Sequence, residues 1–222
     1  MTRFYRWEPQ VYSFRMPFHL VDHPIAQDAL VALRDTSTRA SHFRRLAHRV
    51  GLIVATEATR DLATRATTVQ TPLEQTTGQT VAADVVIVAV LRAGLSLIDP
   101  VLDLLPGARI GHIGLKRDEQ TAKPARYSVH LPDGLADSTV LLVDPMLATG
   151  GSAVMAIDVL KEAGAQDIRL LCIVAAPEGV QALERAHPDV AVFSSALDRE
   201  LNGRKFIVPG LGDFGDRLYG TA

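Results

Sequence analysis

The residues best suited to chemistry lie between positions 139 and 152. Thr139–Val143 is a β-branched, apolar run that predicts a buried parallel strand, and Asp144 ends it with a charge. The following loop is small and rich in glycine, Thr149 and Ser152 add hydroxyl donors, and a helical apolar pattern begins after it. Unpaired N–H groups and the dipole at a helix N-terminus favour an anion, so we expect this loop to bind phosphate.

Asp144 needs a different partner, because a carboxylate repels a phosphate. Sugar hydroxyls, which are hydrogen-bond donors, or a metal ion would suit it. A carboxylate at one end of the loop and a phosphate-binding segment at the other indicate a site for a ribose 5-phosphate. A plain strand-to-helix turn with a helix cap would explain the glycines alone. The loop is not a Walker A loop, since no Gly-Lys-Ser/Thr follows.

Other basic residues could also reach a phosphate. Arg92 follows the apolar run 85–91, which predicts a central strand. Charges at the ends of buried strands face ligand sites in open α/β sheets, so Arg92 is a candidate anion ligand, although a surface salt bridge fits its position equally well. Lys116, Arg117 and Lys123 lie in a long polar connection and could reach a polyphosphate.

Alternating strands and helices are predicted around these residues. Strands are expected at 85–91, 109–115, 139–143, 168–175 and 190–194, with an edge strand or extended segment at 69–73 and a hairpin arm at 127–131. Helices are expected at 25–33, 41–62, 96–105, after residue 152 and at 178–186, where Pro177 suits the first helical position. Residues 116–132 are expected to form a functional lid or a disordered loop. This order predicts a parallel sheet with helices on both faces.

Both ends of the chain carry apolar residues that a disordered tail would lack. Residues 1–18 contain six of the twelve aromatic residues, so we expect this arm to dock on the body or on a neighbouring subunit. A frayed end without function is the alternative. The tail, residues 198–222, combines the glycine-rich segment 209–216 with apolar side chains such as Phe206 and Leu218. We expect the tail to be an ordered cap over a pocket.

Length, composition and charge exclude several classes of protein. The 222 residues suit one domain, and a 47% hydrophobic fraction suits a full-sized core. A net charge of −2 does not predict a nucleic-acid surface. Cys172, the single cysteine, excludes an intrachain disulfide and a multi-thiolate metal site. Because no run approaches the roughly 20 apolar residues that cross a bilayer and no signal-peptide core is present, we expect a cytoplasmic protein without a membrane partner.

Several strings of residues together resemble the uracil phosphoribosyltransferases. The most specific are Val-Asp-Pro-Met-Leu-Ala-Thr-Gly-Gly-Ser at 143–152 and Pro-Gly-Leu-Gly-Asp-Phe-Gly-Asp at 209–216. Similar strings occur at 57–62, 91–94, 174–179 and 186–189, so the resemblance extends over about residues 19–221. It implies the type I phosphoribosyltransferase fold, a central parallel sheet flanked by helices with a small hood formed by N- and C-terminal segments. After the arm, residues 19–222 would form one domain, with a uracil-binding hood at about 195–222.

The resemblance also implies an activity. Enzymes of this family join uracil to phosphoribosyl pyrophosphate (5-phospho-α-D-ribose 1-diphosphate, PRPP) and form uridine monophosphate (UMP) and diphosphate, a step of pyrimidine salvage. Mg²⁺ is the implied cofactor, held mainly through the diphosphate. Some members are activated by GTP and change their oligomeric state, so GTP is a candidate effector, and a homodimer or homotetramer is expected.

The ribose phosphate side of the implied site falls on three segments of this sequence. Asp144 would hold the ribose hydroxyls, while Arg92 and Arg117 would meet the diphosphate, and these three are the implied catalytic residues. Pro145 stands where the wider type I enzymes have a second acid. The 5-phosphate would be bound by the loop residues Met146, Leu147, Ala148, Thr149, Gly150, Gly151 and Ser152.

The uracil side falls on the tail. Main-chain groups of Ile207, Gly212 and Phe214 would read the base, beside Asp213, which would face the ribose and Mg²⁺. The sequence departs from the family at two positions, since Lys116 replaces a frequent aromatic residue and Phe206 replaces a usual tyrosine. If a tyrosine hydroxyl matters for uracil, the second change weakens binding.

Two other functions stay open at this point. One is a phosphoribosyltransferase-fold regulator that binds nucleotide and RNA without this activity. The near-neutral charge argues against it, while the basic helix face of Arg44, Arg45 and Arg49 keeps it in view. The other is a related enzyme that uses a purine base, although the main chain of the tail matches uracil better.

Overall fold

The described part of the chain forms one large sheet and two small ones. The computed structural model describes residues 16–117 and 124–221, and only the main chain of residues 116, 117, 124 and 125. The strands are β1 (Phe18–Leu20), β2 (Thr64–Gln70), β3 (Gln75–Val81), β4 (Val85–Leu91), β5 (Arg109–Arg117), β6 (Pro124–His130), β7 (Thr139–Val143), β8 (Met146–Leu147), β9 (Asp167–Ala175), β10 (Ala191–Leu197), β11 (Glu200–Leu201) and β12 (Ile207–Val208). The helices are α1 (Pro24–Arg34), α2 (Ala40–Ala58), α3 (Ile98–Leu104), α4 (Gly151–Glu162), α5 (Pro177–Ala186) and α6 (Phe214–Tyr219).

The large sheet has eight strands in the order β1-β10-β9-β7-β4-β5-β6, with β8 paired to β9. Neighbouring strands are parallel, except that β5 and β6 are antiparallel. The predicted α/β fold with a central, mostly parallel sheet is therefore confirmed. Of the predicted aromatic arm, residues 1–15 lie outside the described residues, and Phe18 belongs to the edge strand β1.

Alternate residues of the central strands pack on opposite faces of the sheet. Ile87 and Leu141 belong to a core with α1, α2 and the apolar side chains of the tail, which we call the α2 face. Val88 and Leu142 belong to a core with α4 and α5, which we call the α4 face. Strands covered on both faces must be apolar throughout, which explains the unbroken runs in β4 and β7.

Helix boundaries differ from the predictions where side chains compete for the main chain. The helix expected at 41–62 ends at Ala58, and the Thr59 hydroxyl donates to the Ala55 carbonyl at 2.7 Å. The helix expected at 96–105 is a 3₁₀ turn, Ala93–Leu97, followed by α3. Pro100 lies in the first turn of α3, where a missing N–H costs nothing. None of the helices in the described ranges is both long and apolar enough to span a membrane.

Two β-hairpins correct the sequence predictions. The segment 69–73 is not a strand of its own, because Pro72 and Leu73 occupy the turn between β2 and β3, which pair antiparallel in a separate two-stranded sheet. The polar connection at 116–132 is shorter than predicted, since β5 continues to Arg117 and β6 begins at Pro124. The β5–β6 hairpin contains the predicted strand at 109–115 and most of the predicted arm at 127–131. The β2–β3 hairpin is polar and rich in threonine, so the search for apolar runs overlooked it although threonine favours strands.

Candidate active site

The loop after β7 continues the sheet instead of leaving it. The Asp144 N–H donates to the Leu171 carbonyl at 3.1 Å, and the Pro145 carbonyl accepts from the N–H of Ile173 at 2.9 Å. β8 then pairs with the end of β9. Pro145 is buried, so its ring supports the loop from within. These bonds fix the main chain on both sides of the Asp144 side chain.

Asp144 is half-buried and lies at the end of the buried strand β7. Its Oδ1 accepts from the Met146 N–H at 3.4 Å. Burial raises the pKa of Asp144 to about 7, and the hydrogen bond from Met146 opposes that rise. A carboxylate in this state gains most from a ligand that supplies hydrogen-bond donors or positive charge.

A cavity of about 170 Å³ joins this carboxylate to the N-terminus of α4. Gly150 caps α4 with φ +81°, a left-handed conformation that suits glycine. Gly151 is the first residue of α4, so the N–H groups of this turn have no partner within the helix. The cavity is lined by Asp144, Met146, Leu147, Ala148, Thr149, Gly150, Ser152, Ala153 and Leu170. The structure thus brings the predicted ribose and phosphate ligands to one concave site.

Gly179, in the first turn of α5, also shapes this loop. The sequence analysis included it in the family-like string at 174–179 but gave it no role. A Cβ on Gly179 would lie closer than 3.0 Å to the carbonyl oxygens of Leu147 and Ala148. Gly150 has the reciprocal constraint, since its Cβ would lie 2.8 Å from the Gly179 carbonyl oxygen. The main chain of the loop therefore packs directly on the main chain of α5. This contact can be seen only in the folded structure.

Arg92 follows β4, the strand beside β7, at the same edge of the sheet as Asp144. The Leu91–Arg92 peptide is cis. A Cβ on Gly94 would lie closer than 3.0 Å to the Val143 carbonyl oxygen, so glycine allows this loop to pack against the end of β7. Arg92 is exposed, and it is absent from the ion pairs found among the described side chains. Within residues 16–117 and 124–221 the structure therefore shows no carboxylate partner for Arg92.

Tyr219 connects the tail to the Arg92 loop. Its hydroxyl donates to the Arg92 carbonyl at 3.1 Å, and the Arg92 guanidinium carbon lies 6.0 Å from its ring centroid. Sequence analysis did not single out Tyr219, because the two residues are 127 positions apart. Helix α6 thereby contacts Arg92, a predicted ligand of the diphosphate.

The tail is ordered and forms β11, β12 and α6. The Asn202 N–H donates to the Phe206 carbonyl at 2.8 Å, and Leu201 is paired with Ile207 next to it. Bonded and non-bonded pairs alternate in an antiparallel ladder, so the N–H and C=O of Ile207 point away from β11. The Phe214 side chain is buried and packs against Phe43, with ring centroids 5.1 Å apart.

Asp213, a predicted contact of ribose and Mg²⁺, also caps a helix. Asp213 is the N-cap of α6, where its Oδ1 accepts from the Asp216 N–H at 3.0 Å. The carboxylate thus has a structural role in addition to any contact with ribose or Mg²⁺. The side chains of Lys116 and Arg117, and all of Lys123, lie outside the described residues.

Known proteins place the chain in a family. The family model described as "Uracil phosphoribosyltransferase" matches residues 20–221. The chain belongs to the uracil phosphoribosyltransferase family. A uracil phosphoribosyltransferase of Lactococcus lactis is 49% identical over 92% of this chain and 98% of its own length. One from Geobacillus kaustophilus is 48% identical over 91% of this chain and 98% of its own.

Solved structures agree with the fold of this family. The AQ2163 protein of Aquifex aeolicus matches with a TM-score of 0.87 and 32% identity, over 92% of this chain and 99% of its own. A hypoxanthine phosphoribosyltransferase from Staphylococcus aureus matches with a TM-score of 0.50 and 11% identity, over 74% of this chain and 83% of its own. At that identity the match shows the fold alone. Together they confirm the predicted type I phosphoribosyltransferase architecture.

Proposed function

We propose that the protein is a uracil phosphoribosyltransferase that converts uracil and PRPP to UMP and diphosphate. The observation that carries the proposal is the cavity in which the Asp144 carboxylate and the N-terminus of α4 face one another. Ribose hydroxyls and a 5-phosphate are the two ends of one substrate that this pair would hold. The names of the relatives favour this enzyme over a nucleotide-binding regulator.

The ribose phosphate would bind across the end of the sheet. Asp144 would accept hydrogen bonds from the ribose hydroxyls, and residues 146–152 would surround the 5-phosphate. Arg92 would meet the diphosphate from the neighbouring strand, and Arg117 would reach it from the end of β5. Both guanidiniums stabilise the negative charge that develops on the leaving diphosphate.

Uracil would be read by the main chain of the hood. Uracil presents carbonyl acceptors and N–H donors, which the N–H and C=O groups of Ile207, Gly212 and Phe214 can match. Because the Phe214 side chain is buried, the main chain is the part of this residue that a base can contact. Cytosine has an amino donor in place of O4 and would leave a main-chain N–H unpaired, which rejects an analogue strongly.

The reaction needs no nucleophile from the protein. As the bond between the anomeric carbon and diphosphate breaks, this carbon acquires oxocarbenium character. Uracil N1 then bonds to it and gives up its proton, which the departing diphosphate can accept. The protein contributes by holding both reactants in line and by excluding water. The rate therefore depends on how well PRPP and uracil are aligned. The contacts that fix Asp144, Arg92 and the hood provide this alignment.

Mg²⁺ fits this site as a companion of the diphosphate. Among the described residues no group of three or more His, Cys, Asp or Glu could hold a metal ion alone. Mg²⁺ commonly binds substrate phosphates together with one or two carboxylates and water. When bound it would neutralise charge on the leaving group. Asp213 could add one carboxylate oxygen to such a complex.

Three broader properties belong to the proposal as well. A homodimer or homotetramer is supported by the exposed β2–β3 sheet, where Leu73 is 94% exposed and Val69 49%. GTP as an effector follows from the family resemblance, and a cytoplasmic location rests on the hydrophobic pattern of the sequence. The division into an arm at 1–18 and a domain at 19–222 with a hood from about 195 also stays a prediction.

The direct test is formation of UMP. Purified protein with saturating uracil, PRPP and Mg²⁺ is expected to yield UMP and diphosphate, measured by chromatography of the products. Hypoxanthine in place of uracil is expected to yield no nucleotide, which separates this enzyme from a purine enzyme of the same fold. If uracil gives no UMP, the proposed activity is wrong.

Tyr219→Phe is expected to raise the KM for PRPP about 2- to 10-fold, because one neutral hydrogen bond to the Arg92 loop is lost. The ring over Arg92 stays in place, so protein stability should change little. Steady-state kinetics with each substrate varied in turn measures the effect. An unchanged KM for PRPP would show that this hydrogen bond does not position Arg92.

A further inference from the structure

The turn between β12 and α6 is held by an ion pair that no ligand contact requires. Asp198 is 5% exposed, and both of its carboxylate oxygens accept from the Arg34 guanidinium, at 2.7 and 2.8 Å. The same two side chains hold both polar groups of one residue. The Gly210 N–H donates to Asp198 at 2.8 Å, and the Gly210 carbonyl accepts from Arg34 at 2.9 Å.

Gly210 itself leaves the turn no freedom. Its φ is +61°, and a Cβ at this position would overlap the Ile207 carbonyl oxygen. The turn therefore packs directly on the main chain of a residue expected to read the base. A shift of Gly210 would move Ile207 and Gly212 together.

A second arginine holds the neighbouring residue of the turn. Arg217, in α6, donates to the carbonyls of Leu211 at 2.8 Å and Asp35 at 2.5 Å, and also to the Leu33 carbonyl. Its guanidinium carbon lies 4.6 Å from the centroid of the Phe43 ring. Both arginines thus connect the C-terminus of α1 to the turn. Arg34 does so from α1 and Arg217 from α6.

We propose that Arg34, Asp198 and Arg217 are positioning residues for the base: by fixing the main chain of Gly210 and Leu211, they set the affinity for uracil without touching it. This inference rests on the proposed function. In this site the base is read by main-chain groups, whose directions depend on the turn. The affinity for uracil therefore depends on side chains that bind the main chain of the turn and do not contact the base.

The chemistry of the pair makes the test sharp. Each carboxylate oxygen of Asp198 faces a donor, so in Asp198→Asn the amide nitrogen must point at an N–H group in either orientation. In Arg34→Lys a point charge replaces the planar fork and cannot keep all three bonds. Both changes should release Gly210 and leave the phosphate loop unaltered.

The experiment measures the KM for uracil and the KM for PRPP in Asp198→Asn, Arg34→Lys and Arg217→Lys. Each variant is expected to raise the KM for uracil by about tenfold, because charged hydrogen bonds are lost, while the KM for PRPP stays within about twofold. Arg169→Lys is the matched control. Arg169 is also paired with carboxylates and donates to a main-chain carbonyl, of Ala58 at 2.7 Å, away from the turn.

Folding of each variant is checked by its thermal unfolding midpoint. If the two changes in the ion pair prevent folding, the partly exposed Arg217→Lys carries the test alone. An unchanged KM for uracil, or equal rises for both substrates, would overturn the inference. Failure of the proposed function itself looks different, since the unmodified protein would then form no UMP.

Discussion

Asp144→Asn is expected to lower kcat/KM for PRPP by about 10²- to 10³-fold. The amide keeps the shape of the side chain and can still accept from the Met146 N–H, but it cannot offer a charged acceptor to two ribose hydroxyls. Hydrogen bonds to a charged group contribute roughly 1.5–3 kcal/mol each, so the loss of one to two of them costs about 10- to 10⁴-fold, and the expected range lies in the middle of that span. Steady-state kinetics at saturating uracil measures it. Full activity of the variant would exclude Asp144 as the ribose ligand.

The same substitution is expected to stabilise the protein at high pH. Burial raises the pKa of Asp144 to about 7, whereas its unfolded value is near 3.8. Between these values the folded state binds more protons than the unfolded state, so the contribution of Asp144 to stability falls as pH rises. The amide that replaces the carboxyl group does not titrate and has no such pH dependence. The unfolding midpoint of Asp144→Asn should therefore exceed that of the unmodified protein at pH 8 and approach it at pH 4.

A variant less stable than the parent at pH 8 would show that Asp144 is not held in a poorly solvated place. The two results together are diagnostic, because a residue that lowers stability and supports activity is typical of a ligand-binding position. If the aspartate had a purely structural role, the same substitution would lower the stability of the protein. Comparing the variant with its parent at each pH removes the contributions of the other carboxylates.

Gly179→Ala is expected to lower kcat/KM for PRPP by about 100-fold. The new Cβ would lie 2.8 Å from the Leu147 carbonyl oxygen and even nearer to that of Ala148. Main-chain atoms cannot turn aside, so the phosphate loop or α5 must move, and a shift of about 1 Å in a binding site can cost this much. The strain should also lower the free energy of unfolding by about 1–3 kcal/mol.

Gly107→Ala is the matched control for this change. No heavy atom lies within 4 Å of the position that its Cβ would take, so activity and stability should stay near those of the parent. Kinetics and thermal unfolding of both variants make the comparison. If Gly179→Ala behaves like Gly107→Ala, the contact between α5 and the phosphate loop does not control the loop.

Local patterns predicted the fold and the phosphate side of the site. The run Thr139–Val143, Asp144 after it and the glycines before α4 are adjacent in sequence, and each has a physical meaning at that spacing. The structure has the strand, the loop and the helix in these places. The roles of the individual residues toward the substrates stay predictions.

The remaining contributors could not be predicted because they act across long separations. Arg34 and Asp198 are 164 positions apart, and Tyr219 contacts Arg92 across 127 positions. Taken singly, each reads as an ordinary surface or helix residue. Gly179 has the same character, since its role depends on a carbonyl in another loop. The β2–β3 hairpin was missed for a different reason, because its residues are exposed and lack an apolar pattern.

The two cores of the sheet give this architecture a modular character. The helices behind the phosphate loop, α4 and α5, belong to the α4 face, whereas Ile207, Leu211 and Phe214 of the tail belong to the α2 face. The strands form a partition between the two cores. A designer could therefore rebuild the base-reading tail and its support from α1 and α2 for another nucleobase without touching α4 and α5 across the partition. Such a design would have to keep Tyr219, which holds the Arg92 loop from the tail.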